Sequence, residues 1–298
     1  MSVLKKHFAK DNETQTKQVF FMTINCKGKL IDLSVPKVMG ILNLTPDSFY
    51  DGGKYKDEAA IMKQVEKMLE DGASFIDMGA YSSRPGAEHV DEDEELKRML
   101  PIVELILSHF PDTLISVDTF RSKVAAESLE RGAAIINDIS AGNLDPEMFS
   151  TIAKFQVPYI MMHLKGTPQS MQKEAVYDDL IKDLRFYFSQ KMQEATSKKI
   201  NDIIIDPGFG FAKTTEQNYT LLNHLDLFKT YEAPLLIGLS RKSMIYKVLN
   251  SSPKEALNGT TALHTIALLK GVNILRAHDV KEAVECVKLV EALKANAL

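Results

Sequence analysis

Residues 203–213 read Ile-Ile-Ile-Asp-Pro-Gly-Phe-Gly-Phe-Ala-Lys, and the fold turns on how this stretch is read. Three β-branched aliphatics in a row suit a strand buried on both faces, as in parallel sheets and barrels, rather than a half-exposed strand of alternating polarity. Asp206 stands where that strand ends. Pro207 and Gly208 stop the ladder and open a turn, Gly210 lets the backbone approach a ligand closely, and Phe209 and Phe211 offer flat apolar surface. A carboxylate on a rigid strand tip beside two rings suits a planar, nitrogen-rich heterocycle, whose adjacent ring N–H and amino donors it can take bidentately. The competing reading makes Asp206 a cap for the next helix and both phenylalanines core. Taken alone, the stretch leaves the two readings open.

Outward from this stretch the pattern is strand then helix, repeated. Short apolar runs at Val38–Leu42, Phe75–Met78, Leu114–Val117, Ala134–Asn137, Tyr159–Met162, Ile203–Ile205, Leu235–Ile237 and Val272–Leu275 each end abruptly in polar, Gly or Pro residues. Helical patterns lie between them at Glu58–Glu70, Glu94–Ser108, Ser122–Glu130, Pro146–Lys154, Tyr177–Thr196, Glu216–Asn223 and Pro253–Leu269, the last after a short turn at Ser243–Leu249, and Lys281–Ala295 closes the chain. Eight such units predict an α/β fold, a (β/α)8 TIM barrel with its chemistry where the strands end. An open doubly wound sheet is the alternative, but it does not need eight regularly spaced strands. Upstream, Val19–Leu33 reads as two strands turning at Lys27-Gly28, an N-terminal β-hairpin that would plug one end of the barrel. Residues 1–18 read as a flexible lead-in, leaving 19–298 as one barrel domain.

Composition is consistent with this frame. A chain of 298 residues, 45% hydrophobic and 26% charged, can bury a large core, and its net charge of -4 argues against general nucleic-acid affinity. Cys26 and Cys286 lie far apart without metal-ligand spacing, which points to a reducing, cytoplasmic setting rather than a disulfide framework. No apolar run reaches membrane-spanning length, and the first residues lack a signal-peptide core.

A barrel should collect its functional residues just after its strands. Asn43 to Gly53 and Asp77 to Gly86 form two long polar loops, and Asp118, Asn137-Asp138, His163, Asp206, Ser240-Arg241-Lys242 and Arg276-Ala277-His278 end the other strands. Asp118, Asn137 and Asp206 bear acceptors and Lys242 is a nearby cation, a set able to bracket a heterocycle's donors and its carbonyl edge. Asn43, Arg84, Arg276 and His278 suit an anion, and the planar arginine fork matches phosphate. Other features take the plain structural reading. Asp91–Glu95 is a solvated acidic helix start, Gly208-Phe-Gly210 is too short for a dinucleotide site, Met62, Met68 and Met99 are core filler, and His163 is a packed strand-end histidine.

Eight motifs together carry a resemblance. Met39–Gly53 (MGILNLTPDSFYDGG), Ser82–Gly86 (SSRPG), Ser116–Arg121 (SVDTFR), Asn137–Ser140 (NDIS), Met162–Gln172 (MHLKGTPQSMQ), Asp206–Lys213 (DPGFGFAK), Gly238–Ser243 (GLSRKS) and Arg276–Val280 (RAHDV) closely resemble, in this order, the dihydropteroate synthase family of folate biosynthesis. The resemblance runs from about Met39 to Val290. It implies condensation of 6-hydroxymethyl-7,8-dihydropterin pyrophosphate with p-aminobenzoate, with Mg²⁺ as cofactor, sulfonamides as inhibitors and a homodimer formed through the last helices.

By the same resemblance, Asp118, Asn137, Asp206, Gly238 and Lys242 hold the pterin, with Met161 and Phe211 beside it and Arg276 over one face. Asn43, Arg84, Arg276 and His278 take the pyrophosphate, and Asn43 also meets Mg²⁺. Phe49, Ser83, Arg84, Pro85, Ser240 and Lys242 form the p-aminobenzoate side. The catalytic group is Asp206, Lys242, Arg276 and His278. Two departures stand out: the family often has Glu where Tyr81 stands and Thr where Ser83 stands, and the latter bears on p-aminobenzoate and sulfonamide affinity. Two rivals share the strand-tip acid logic. A methyl-transferring pterin barrel has less use for Ser82–Gly86 and Arg276–His278, and a non-catalytic pterin-binding relative has less use for Asn43, Arg276 and His278.

Overall fold

A computed structural model of the chain describes residues 22–44, 54–81 and 89–296. The lead-in, the start of the predicted hairpin strand, and residues 45–53 and 82–88 lie outside the described residues. Two antiparallel strands, β1 (Thr23–Cys26) and β2 (Lys29–Asp32), come first. Lys27 at φ 55° and Gly28 at φ 82° make the two-residue turn with positive φ at both positions, whose twist matches a hairpin. Eight parallel strands follow: β3 (Lys37–Asn43), β4 (Phe75–Gly79), β5 (Ile115–Asp118), β6 (Ile135–Asp138), β7 (Tyr159–Met162), β8 (Ile203–Asp206), β9 (Leu236–Ile237) and β10 (Ile274–Ala277). They pair in the order β8-β7-β6-β5-β4-β3-β10-β9. The circle closes where Ile205 bridges Leu235, with the Ile205 N–H donating to Pro234 O at 2.9 Å.

Helices α1 (Lys54–Glu70), α2 (Glu92–His109), α3 (Ser122–Glu130), α4 (Met148–Phe155), α5 (Leu180–Ser197), α6 (Thr215–Asn223), the single turn α7 (Ser243–Tyr246), α8 (Leu257–Leu269) and α9 (Val280–Ala295) surround the barrel. The predicted (β/α)8 barrel is therefore the fold. The strands start and stop within two residues of their predicted positions; Asn137 lies inside its ladder as predicted, and Asp118, Asp206 and Arg276 lie inside theirs rather than after them. That placement matters, because a residue in a ladder cannot swing away with a loop. The helix predicted from Pro253 begins only at Leu257, after a short 3-10 turn at Pro253–Glu255 capped by Ser252.

Two layers of core define the barrel. Strand residues facing outward join the helices in the larger cluster, where Met68 and Met99 are fully buried. The smaller cluster joins Ile24, Cys26 and Leu33 of the hairpin to Met39, Phe75, Ile135, Ile160, Ile204, Leu236 and Ile274, residues near the start of each strand. The hairpin thus plugs the N-terminal end of the barrel. Gly40 on β3 faces outward, and a Cβ there would stand 2.6 Å from Met68 Sδ, so glycine sets how closely α1 approaches the sheet. No helix among the described residues is long and apolar enough to cross a membrane. Both cysteines are free and buried.

Candidate active site

Because side chains alternate along a strand, the residues two positions beyond the plugged layer face the barrel interior one layer nearer the opposite mouth. Counting on from Met39, Phe75, Ile135, Ile160, Ile204, Leu236 and Ile274 gives Ile41, Asp77, Asn137, Met162, Asp206, Gly238 and Arg276. Four of the seven are polar or charged and one is glycine. Ser116 and Asp118 continue the same parity on β5, and Asn43 does so at the tip of β3. An apolar lower layer and a polar upper layer thus come from one alternating pattern.

Asp77 organises this layer. It is fully buried, accepts from Ser116 Oγ at 2.6 Å on one oxygen, and on the other accepts from Asn137 Nδ2 at 3.1 Å and Arg276 Nε at 2.5 Å. Arg276 Nη2 then donates to Asp118 Oδ2 at 2.7 Å. Burial opposes the Arg276 charge, but Asp77 and Asp118 together hold its pKa above the ordinary value. Burial pushes the Asp118 carboxyl up to about 7 against the pull of Arg276. Arg276, expected at a pterin face and a phosphate, is thus held by two carboxylates from β4 and β5.

Across the mouth, Asp206 is buried and accepts from the Gly208 N–H at 2.8 Å on Oδ1. It does not cap the next helix. Thr214 caps α6 in a reciprocal pair with Gln217, which disposes of the capping half of the competing reading. Burial raises the Asp206 pKa, opposed by Lys242, the Gly208 N–H, Arg276 and Lys213. Lys242 donates to Phe209 O at 2.5 Å, and its ammonium lies 4.6 Å from the Phe211 ring centre. Burial lowers its pKa to about 8, with Asp206 working against the fall. Gly238 leaves space between these cations, since a Cβ there would lie 3.7 Å from Arg276 Cδ and 3.9 Å from Lys242 Nζ.

The loops after β9 and β10 are tied together. Arg241 has left-handed backbone at φ 54° and grips Asp279 with Nε at 2.8 Å and Nη2 at 2.7 Å. Beside this fork, the Ser240 hydroxyl accepts from the His278 backbone N–H at 3.3 Å and meets its Nδ1 at 3.1 Å. Ser240 and His278 are therefore neighbours, although the resemblance assigns them to different ligands.

Several placements differ from the sequence reading. Met161 faces outward into the core between strands and helices, and the alternation brings Met162 into the mouth instead, in a cluster with Ile139, Leu164, Met171 and Ala212 against which Phe211 packs. Phe209 is core, so only Phe211 offers its ring to the site. The acidic start of α2 is not wholly solvated: Asp91 caps it, but Glu95 is fully buried and paired with Arg121. Phe49, Ser83, Arg84 and Pro85 lie outside the described residues. His163 is packed as expected, its ring edge-on to Tyr187 at 4.8 Å.

Two residues carry no role in the sequence reading, although it names both, Asp77 at the head of a loop and Lys213 at the end of the stretch 203–213. Asp77 had a usable signal, an acid inside the apolar run Phe75-Ile-Asp-Met, matched by a base inside Ile274-Leu-Arg-Ala. Lys213 had none, because one of its partners is 50 residues away.

Fold and site together define a barrel enzyme with a buried, acid-rich cradle for a planar, donor-bearing ligand, backed by Lys242 and Arg276. The pterin binding enzyme family matches residues 39–278. The dihydropteroate synthase of Escherichia coli (strain K12) is 43% identical over 273 residues, covering 91% of this chain and 96% of that protein. A Yersinia pestis dihydropteroate synthase solved with a sulfonamide drug superposes with a TM-score of 0.86 at 42% identity, covering 92% of this chain and all of the other. The Xanthomonas albilineans enzyme with 4-aminobenzoic acid gives 0.87 at 34% identity over 93% of this chain and 100% of the other. The chain belongs to the pterin binding enzyme family, among its dihydropteroate synthases.

Proposed function

We propose that the protein joins 6-hydroxymethyl-7,8-dihydropterin pyrophosphate to p-aminobenzoate, releasing pyrophosphate and giving 7,8-dihydropteroate for folate synthesis. The observation that carries this reading is the inward layer of Asp118, Asn137, Asp206, Lys242 and Arg276. Asp206, ionised, accepts from the pterin's ring N–H and amino group. Asn137 and Lys242 meet the remaining polar edge, and Phe211 and Met162 lie against the ring. Asp118 and Arg276 act as a pair, with the arginine plane over the ring and its remaining donors toward the phosphates.

Asn43 and His278 complete the anion side, with Arg84 added from residues outside the described set. Asn43 fits Mg²⁺ as a hard oxygen donor at the mouth. No group of three or more His, Cys, Asp or Glu among the described residues forms a dedicated metal cage, and Mg²⁺ characteristically takes few protein ligands beside water and phosphate. When bound, Mg²⁺ neutralises leaving-group charge. The protein's own part is to spread that charge over Arg276 and His278, to oppose the cationic pterin methylene with Asp206, and to exclude water while the arylamine attacks. No side-chain nucleophile is needed. Phe49, Ser83, Arg84 and Pro85, with Ser240 and Lys242, form the p-aminobenzoate side.

The protein works in the cytoplasm as a homodimer through α8 and α9, which pack together and expose Ile266, Leu269, Leu289 and Leu293. Pyrophosphate release measured with the pterin substrate, with and without p-aminobenzoate, tests the reaction. Release that depends on p-aminobenzoate and yields dihydropteroate is expected. Methyl transfer, or no release at all, would replace this reading with one of its rivals.

A further inference from the structure

Lys213 is almost fully buried, yet it is spent on neither ligand region. Its ammonium donates to three acceptors: Gly208 O at 3.0 Å, Phe211 O at 3.0 Å and His163 Nδ1 at 3.1 Å. An ammonium has three protons, and all three are used. Burying such a group without partners would be costly, so the arrangement is sustained by complete hydrogen bonding. With Lys213 charged, the bond to His163 makes Nδ1 the acceptor and puts the ring proton on Nε2. His163 is kept neutral by burial, with Lys213 and Lys165 acting in the same direction.

The two carbonyls held by Lys213 bracket the turn that shapes the site. Gly208, Gly210 and Ala212 all have left-handed backbone, with φ of 73°, 79° and 46°, so no regular ladder stabilises these residues. A Cβ on Gly208 would lie 2.4 Å from His163 O, so the turn is pressed directly on the loop after β7. Asp206 takes its orientation from the Gly208 N–H, and Phe211 presents its ring under Lys242. We infer that Lys213 is a positioning residue of the pterin site, which uses His163 as a hydrogen-bond acceptor to lock residues 208–211 so that Asp206 and Phe211 meet the ligand. This rests on the pterin reading given above.

Lys213 also acts on the charge of Asp206. Facing Asp206 are Lys242 after β9, Arg276 on β10 and Lys213 itself, with Asp77 and Asp118 behind Arg276. Facing Lys213 are Asp206, Lys242 and His163. Burial pulls the Lys213 amine down to about 7, Asp206 resists this, and the same coupling favours the Asp206 anion. Removing Lys213 therefore raises the pH at which Asp206 takes up a proton.

The test is calorimetric titration of 6-hydroxymethylpterin into wild type and Lys213→Met from pH 5 to pH 8. Lys213→Met should bind roughly ten- to a hundredfold more weakly, and the acid limb of its binding profile should move to higher pH. An unchanged affinity, or an equal loss at every pH with no movement of the limb, overturns the proposal. If Lys213→Met does not fold, His163→Gln, which keeps an acceptor, should bind like wild type, while His163→Leu should lose about tenfold. Equal affinities for those two variants also overturn it. Wild type that does not bind the probe overturns the pterin reading and this inference with it.

Discussion

Asp206 and Asp118 are both inward carboxylates, but their neighbours give them different work. One oxygen of Asp206 accepts from the Gly208 N–H, and the carboxylate retains acceptor capacity toward the mouth. Replacing it by Asn puts an amide donor against the ligand's donors. Asp206→Asn should therefore weaken 6-hydroxymethylpterin binding by about 3 kcal/mol, read by calorimetry, and unchanged affinity would remove Asp206 from the site. Asp118 instead spends Oδ2 on Arg276, and burial raises its pKa from 3.8 to about 7. Between those values the folded protein holds a proton that the unfolded chain has released, so this residue's contribution to stability falls as pH rises through the window. Asp118→Asn should flatten that decline. Urea unfolding of both proteins at pH 5 and pH 7.5 checks it, and a stability difference that does not change with pH counts against it.

At the scale of elements, the plug and the site occupy opposite ends of the same strands. Leu33, fully buried, belongs to the lower layer, in a cluster with β-strand starts such as Ile274 that includes none of the mouth residues. Leu33→Ala should cost about 2–4 kcal/mol of unfolding free energy by leaving a cavity. It should leave pterin affinity within about twofold, because the strands between are stiffly packed. A parallel loss of affinity would show that the hairpin shapes the upper layer as well. The tie between the loops after β9 and β10 is of another kind: the Arg241–Asp279 fork joins two elements through charge, and Ser240 and His278 lie beside it.

For the whole molecule, the exposed leucines of α9 are the feature a monomer would not be expected to carry. Leu289 and Leu293 are 72% and 60% exposed, one helical turn apart, and Ile266 and Leu269 of α8, the helix packed on α9, are exposed too. Exposed apolar side chains on two packed helices support the proposed contact between chains. On the proposed homodimer, Leu289→Glu should shift sedimentation from dimer to monomer while leaving the circular dichroism spectrum intact. A wild type that sediments as a monomer, or a sedimentation coefficient unchanged in Leu289→Glu, counts against the proposed dimer face.

The sequence by itself determined the barrel, because short, doubly buried strands alternating with helices leave few other topologies, and each strand ends visibly at a polar residue or a glycine. It also determined the family, since eight motifs fall in order along one chain. The strand-tip acids Asp118 and Asp206, with Asn137, were legible for the same local reason. Facing direction at the strand ends needed the ladder: Met161 and Met162 are equally apolar, and only the register decides which faces the mouth. The fate of Phe209 was decided likewise, by the left-handed turn that carries Phe211 to the site. Partners were the other thing only the tertiary structure decided. Asp77 meets Arg276 across 199 residues and Lys213 meets His163 across 50, and closing a barrel is what brings such groups within hydrogen-bonding distance.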